Sequence, residues 1–76
     1  VAALRTIGTE AKAAVGALSK ALKDDDENIR FTAAEALGRI GPDAKASIAE
    51  LSEALMDEDE DVRYWATEAL WRIRGE

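Results

Sequence analysis

An all-α solenoid of stacked antiparallel helix pairs is the fold this sequence predicts, and three observations carry it. The chain repeats itself: positions 1–43 laid over 34–76 give 21 identities in 43 pairs, an offset of 33 residues. Apolar residues recur at helical spacing in each segment, and capping residues fall at the same places in both copies. Self-similarity of this period marks a stacked repeat, because one helix pair cannot bury its own apolar face.

About five helices are expected, near 1–7, 10–23, 27–40, 43–56 and 60–74. Ala3, Leu4 and Ile7 of the first match Ala36, Leu37 and Ile40, so the first helix is the truncated back half of a unit. There is also no initiator Met, as in a piece excised from a longer array. Gly8 and Thr9 mark its end. In the next helix Ala11, Val15, Leu18 and Leu22 form one stripe at i, i+4, i+7, i+11, and Ala44, Ile48, Leu51 and Leu55 repeat it. The helix after each carries the stripe Ile29, Ala33, Ala36, Leu37, Ile40, echoed by Val62, Ala66, Ala69, Leu70, Ile73. Period-2 alternation is missing and alanine-rich helix formers dominate, so strands do not compete. Asp26 and Asp59 are placed to cap the second helix of each unit, with Glu27 and Glu60 in the positive first turn. Gly41 suits a left-handed helix stop, and Pro42 suits the start of the next helix. The expected organisation is one repeat segment over 1–76: the end of a truncated repeat at 1–8, a full repeat at 9–41, and a C-terminal repeat at 42–76.

Composition bounds the function. The chain has no Cys and no His, which removes disulfides, thiolate and imidazole metal sites, a cysteine nucleophile and a histidine base. Sixteen acids against ten bases give a net charge of −6, which argues against nucleic acid and against a basic membrane-surface helix. No signal peptide and no membrane-length apolar run is present, and a cytoplasmic location, which the absent Cys fits, is the expectation. A compact globule of 8.2 kDa would expose roughly 4,500 Å². Burial and conformational entropy nearly cancel at that size. An open array falls below break-even, so a dimer through the exposed solenoid ends is expected.

The acidic turns invite a calcium reading. Asp57, Asp59, Asp61 and Glu68 fall at positions 1, 3, 5 and 12 of an EF-hand-like loop, as do Asp24, Asp26, Asn28 and Glu35. Position 6 needs a sharp turn, and it holds β-branched Val62 or Ile29, which fit the apolar stripe instead. Helix caps and solvated acids explain these residues, and no metal or other cofactor is assigned. No acid pair is marked as lying in a pocket with a second functional group, so no catalytic residue is assigned either.

The segments AAEALGRIGPDAKASIAELSEALMDEDEDVR and AKAAVGALSKALKDDDENIRFTAAEALGRIG resemble HEAT-like repeats, of the short alanine- and leucine-rich type that also occurs in phycobilisome lyases. The most specific matches are EALGRIG and the D-x-x-[IV]-R pattern at Asp26–Arg30 and Asp59–Arg63. The resemblance implies a HEAT/armadillo-like right-handed superhelix, first helices convex and second helices concave. It also implies a structural ladder of Asp26, Arg30, Asp59 and Arg63. Two departures stand out. The proline common in the family's first helix is replaced by Gly16 and Ala49, and Gly38 and Gly41 give way to Trp71 and Arg74 in the last copy.

That last change crowds aromatics into one segment. On a helical wheel Tyr64 and Trp71 lie opposite the core stripe, with Trp65 on the flank beside Arg72. The candidate partner-binding set is Tyr64, Trp65, Glu68, Trp71 and Arg72, with Phe31 at the equivalent place one repeat earlier. Two readings stay open, a contact surface and a cap folded over the solenoid end. The function this implies is a non-catalytic scaffold that binds a protein partner. The alternatives are an accessory segment of a larger enzyme such as a bilin lyase, or a synthetic consensus-type repeat without native function.

Overall fold

The computed structural model describes residues 2–75, with side chains from Lys12 onward. The described residues are helices joined by short turns: α1 (Ala2–Ala21), α2 (Glu27–Ile40), a 3-10 segment (Gly41–Ser47), α3 (Ile48–Ala54) and α4 (Glu60–Arg74). The all-α expectation holds, and the helix count does not. The helices expected at 1–7 and 10–23 are one continuous helix, and the helix expected at 43–56 opens as a 3-10 segment kinked at Ala44 (φ −94°, ψ 18°). Pro42 is the physical difference between the two junctions. It has no N–H to continue the helix and disfavours the helical region for the residue before it, whereas Thr9 at the equivalent place imposes neither constraint. Gly41 takes φ 76°, open to glycine alone at no cost, and its N–H closes on the Leu37 carbonyl.

The internal repeat is visible in the two acidic turns, which share the same turn and cap bonds, with one added in the second copy. The N–H of Asp26 donates to Asp24 Oδ1 and that of Asp59 to Asp57 Oδ1, each at 2.9 Å. Asp26 and Asp59 then cap α2 and α4 through the N–H groups of Asn28 (2.8 Å) and Asp61 (2.9 Å), with Val62 a second donor to Asp59 (3.1 Å). α4 runs one position further than α2 and stops at Gly75, which is left-handed (φ 77°). The helix stop lost where Arg74 replaces Gly41 is thus recovered one residue later.

α2 and α4 pack side by side as one layer, while α1, the 3-10 segment and α3 form the other. The core between them holds Val15, Leu22, Ala33, Leu37, Ala44 and Leu51 together with the whole α4 stripe Val62, Ala66, Ala69, Leu70 and Ile73. Ser47, fully buried, hydrogen-bonds the Ser19 hydroxyl and so ties the two units' first helices together. Gly38 lets α2 and α4 approach closely: a Cβ there would lie 3.1 Å from the Ala69 Cα. Two stripe residues are not covered. Ile29 is 43% exposed and Leu55 37%. The total accessible surface is 5122 Å², against roughly 4,500 Å² for a compact protein of this mass. Open faces account for that excess. No helix among the described residues is long and apolar enough to cross a membrane.

Candidate interaction face

α4 presents its core stripe to α3 and α2, which leaves a second stripe facing outward. Glu60, Tyr64, Thr67, Trp71 and Arg74 recur at spacings of 4, 3, 4 and 3, the period of one helical face. All five are exposed, Tyr64 at 56% and Trp71 at 60%. Thirty-three residues earlier the same register on α2 holds Glu27, Phe31, Ala34, Gly38 and Gly41. There the last three are buried and Phe31 is half-buried. The stripe that α2 buries in the packing of the next unit is, on α4, free and rebuilt with large side chains. Beside it Leu55, Thr67, Leu70, Trp71 and Arg74 line a concavity of about 220 Å³, and Met56 stands almost wholly in solvent. Leu55, Met56, Tyr64 and Trp71 make this end the main concentration of exposed large apolar groups among the described residues, with Ile29 apart from them.

The structure divides the expected aromatic set. Tyr64 and Trp71 lie on the outward stripe. Trp65 is half-buried against the core and meets the Tyr64 ring edge-on, centroids 5.1 Å apart at 87°. Glu68 and Arg72 flank Trp65 along the tight seam between α2 and α4, opposite Glu35 and Gly38. Phe31 packs half-buried against the core. These six residues therefore occupy two surfaces and a piece of the interior. Sequence reasoning did not assign Leu55 and Met56 to this face: Leu55 falls on the core stripe and Met56 on no stripe, and both are exposed.

The charged ladder also differs from expectation. Asp26 and Asp59 spend their carboxylates on helix caps, and the carboxylate that reaches the neighbouring unit is Asp57. Arg30 grips it with two bonds, Nε to Oδ2 at 2.9 Å and Nη2 to Oδ1 at 3.2 Å, and also donates from Nη1 to the Asp24 and Asp25 carbonyls. The Arg63 guanidinium donates to the Asp57 carbonyl, at 2.6 Å, and not to its carboxylate. Burial pushes the Asp57 carboxyl up, but the Asp59 N–H and the Arg30 guanidinium outweigh it and hold the group below the usual carboxylate range. The hydrogen bond to Asp57 in turn raises Arg30, against a lesser desolvation effect. At the 33-residue offset Asp24 is the counterpart of Asp57, but the sequence does not separate either from the other two acids of its turn.

Among the described residues no cluster of three potential metal-ligating side chains forms. Fold and face together define a helical-repeat domain of the protein-interaction type. A family model for HEAT repeats matches residues 1–71, and the chain belongs to that family. No curated protein and no solved structure matches it.

Proposed function

We propose that this chain is a non-catalytic protein-interaction scaffold, with repeat units at 9–41 and 42–76, that docks a protein through the outward stripe of α4. One observation carries the reading: the register that buries Ala34 and Gly38 on α2 exposes Thr67 and Trp71 on α4. Exposed Trp and Tyr beside an Arg are the residue types that dominate binding energy when a partner excludes water around them, each worth about 2 kcal/mol or more at an interface centre. The concavity bounded by Leu55, Leu70 and Trp71 offers an apolar floor for one inserted side chain. A non-catalytic role is supported by the charged groups. Among the described residues the two with displaced pKa values, Arg30 and Asp57, are bonded to each other and to backbone, an arrangement that serves packing and leaves neither free to move a proton. The absence of Cys suits the reducing cytoplasm.

The test compares proximity labelling by the parent chain and by a Tyr64→Ala/Trp71→Ala variant in cells of its source, after circular dichroism has shown equal helicity. Proteins labelled by the parent and lost with the variant are the expected result. Identical labelled sets would remove the face from the argument.

A further inference from the structure

The outward stripe of α4 has a property that a generic docking face does not need: it is complementary to itself. Thr67 sits at its centre. Glu60 and Arg74 lie seven residues to either side, about 10.5 Å along the axis in each direction. Tyr64 and Trp71 lie between, three residues before Thr67 and four after it. We propose that the partner on this face is a second copy of the chain, its α4 packed antiparallel against this one about a twofold axis at Thr67. The inference rests on the docking role assigned to the stripe and specifies its occupant.

The arrangement pairs each element with its complement. Glu60 falls opposite the second copy's Arg74, and Tyr64 beside the second copy's Trp71, twice over by symmetry. The first turn of α4 is acidic (Glu60, Asp61) and the last turn basic (Arg72, Arg74), so an antiparallel pair also brings whole acidic ends to basic ends. The small Thr67 at the crossing lets the two backbones approach, as interdigitating helix faces require. Tyr64 of each copy is then placed over the other's concavity, bounded by Trp71 and Leu55. The 4-3-4-3 spacing is the seam of a helix-on-helix contact, not that of an extended peptide groove.

Head-to-tail addition is the competing mode. An apolar recess at the other end, lined by Leu18, Ala21, Ile29, Thr32 and Ala33, is where a preceding unit would stack. Addition of a second copy there would repeat the α2–α4 contact, in which a Cβ at Gly38 would already lie 3.1 Å from the Ala69 Cα. α4 has Trp71 at that place and Arg74 in place of Gly41. Trp71 disfavours a repeat of that contact on this face, whereas a symmetric, self-limiting pair accommodates it.

Sedimentation equilibrium of the chain is expected to show a monomer–dimer equilibrium with no larger species. Glu60→Arg alone and Arg74→Glu alone turn two attractive pairs repulsive, and each should weaken the dimer by about tenfold at low salt. The double variant Glu60→Arg/Arg74→Glu should regain the parent's dissociation constant. Thr67→Cys should form a disulfide-linked dimer under mild oxidation, whereas Lys45→Cys, exposed on the other layer, should not. A parent chain that stays monomeric to millimolar concentration overturns the proposal, as does a dimer indifferent to the swaps, or equal cross-linking by the two cysteines. A monomeric chain whose Tyr64→Ala/Trp71→Ala variant still loses labelled neighbours would overturn the self-pairing alone. Unchanged neighbours would overturn the docking role beneath it.

Discussion

Two glycine-to-alanine substitutions in this chain should move stability in opposite directions, and their difference measures how closely α2 and α4 approach. Both Gly16 and Gly38 sit inside helices with no positive φ. Intrinsic helix propensity favours Ala at either site by about 1 kcal/mol. At Gly16 a Cβ meets nothing within 4 Å, so Gly16→Ala should keep the whole gain. At Gly38 the new methyl lies 3.1 Å from the Ala69 Cα and 3.4 Å from its Cβ. The first of these is backbone of a packed helix and cannot swing aside, so α4 must retreat by a few tenths of an ångström along the whole seam. Overpacking of this kind costs about 1–3 kcal/mol, which leaves Gly38→Ala destabilised by about 1 kcal/mol once the propensity gain is subtracted. In a domain of this length 1 kcal/mol corresponds to about 4–8 °C, so the two melting temperatures should lie roughly 8–16 °C apart. The assay is thermal unfolding followed by far-UV circular dichroism at one fixed protein concentration, since self-association makes Tm concentration-dependent. If both variants rise in step, Gly38 has free space in solution. The close contact, and with it the argument that Trp71 shuts the outer face of α4, would then be wrong.

Two further outcomes follow from the turns. Asp59 accepts two backbone N–H groups and Asp26 one, so Asp59→Ala should cost nearer 2 kcal/mol and Asp26→Ala about 1 kcal/mol, read from urea unfolding; equal losses would deny the second bond a role. Asp57, whose folded pKa is depressed, contributes stability that is fully present above the unfolded carboxylate value of about 3.9 and is lost as pH falls through the folded value. The Tm gap between the parent and Asp57→Asn should therefore be widest near neutral pH and close below about pH 4, and a gap independent of pH would sever the link to Arg30.

How much of this was legible in the residues differs by level. The α2 and α4 helices, their caps at Asp26 and Asp59, and the buried row Val62, Ala66, Ala69, Leu70 and Ile73 follow from periodicity and the 33-residue offset alone. The continuity of α1 does not, because Gly8 looks like Gly41 and only the loss of Pro42's constraint at Thr9 separates a helix that stops from one that proceeds. Nor does the Arg30–Asp57 pair: three acidic residues in each turn are equivalent by type, and tertiary geometry alone selects the one that points at the neighbouring unit. The wheel that placed Tyr64 and Trp71 in solvent described one helix correctly. It placed Trp65 on the flank, where the structure shows it half-buried against the core, because a wheel carries no information about a second helix brought near by Gly38 thirty residues away.

That dependence explains why a few positions decide what this kind of array does next. Along α2 the outward row reads small, and smallness is a positive instruction: the buried Ala34 and Gly38 let the following unit settle close, a Cβ at Gly38 lying 3.1 Å from the Ala69 Cα, where dispersion contacts are densest. Along α4 the same row is bulky or polar, and the same physics inverts. Trp71 is larger than the contact between Gly38 and Ala69 admits, so a helix seated on α4 in the same way would have to stand further off. Leaving a Trp and a Tyr to water forgoes their burial, which makes the row unfavourable as a plain cap and favourable as a contact. Its charges run from acidic Glu60 to basic Arg74, so the same surface turned end for end is its own complement. An array that grows by translation is heterologous and has no natural end; one closed by a twofold stops at two. Trp71 in the place of Gly38 is thus the feature on which the proposed exchange of the first kind of association for the second turns.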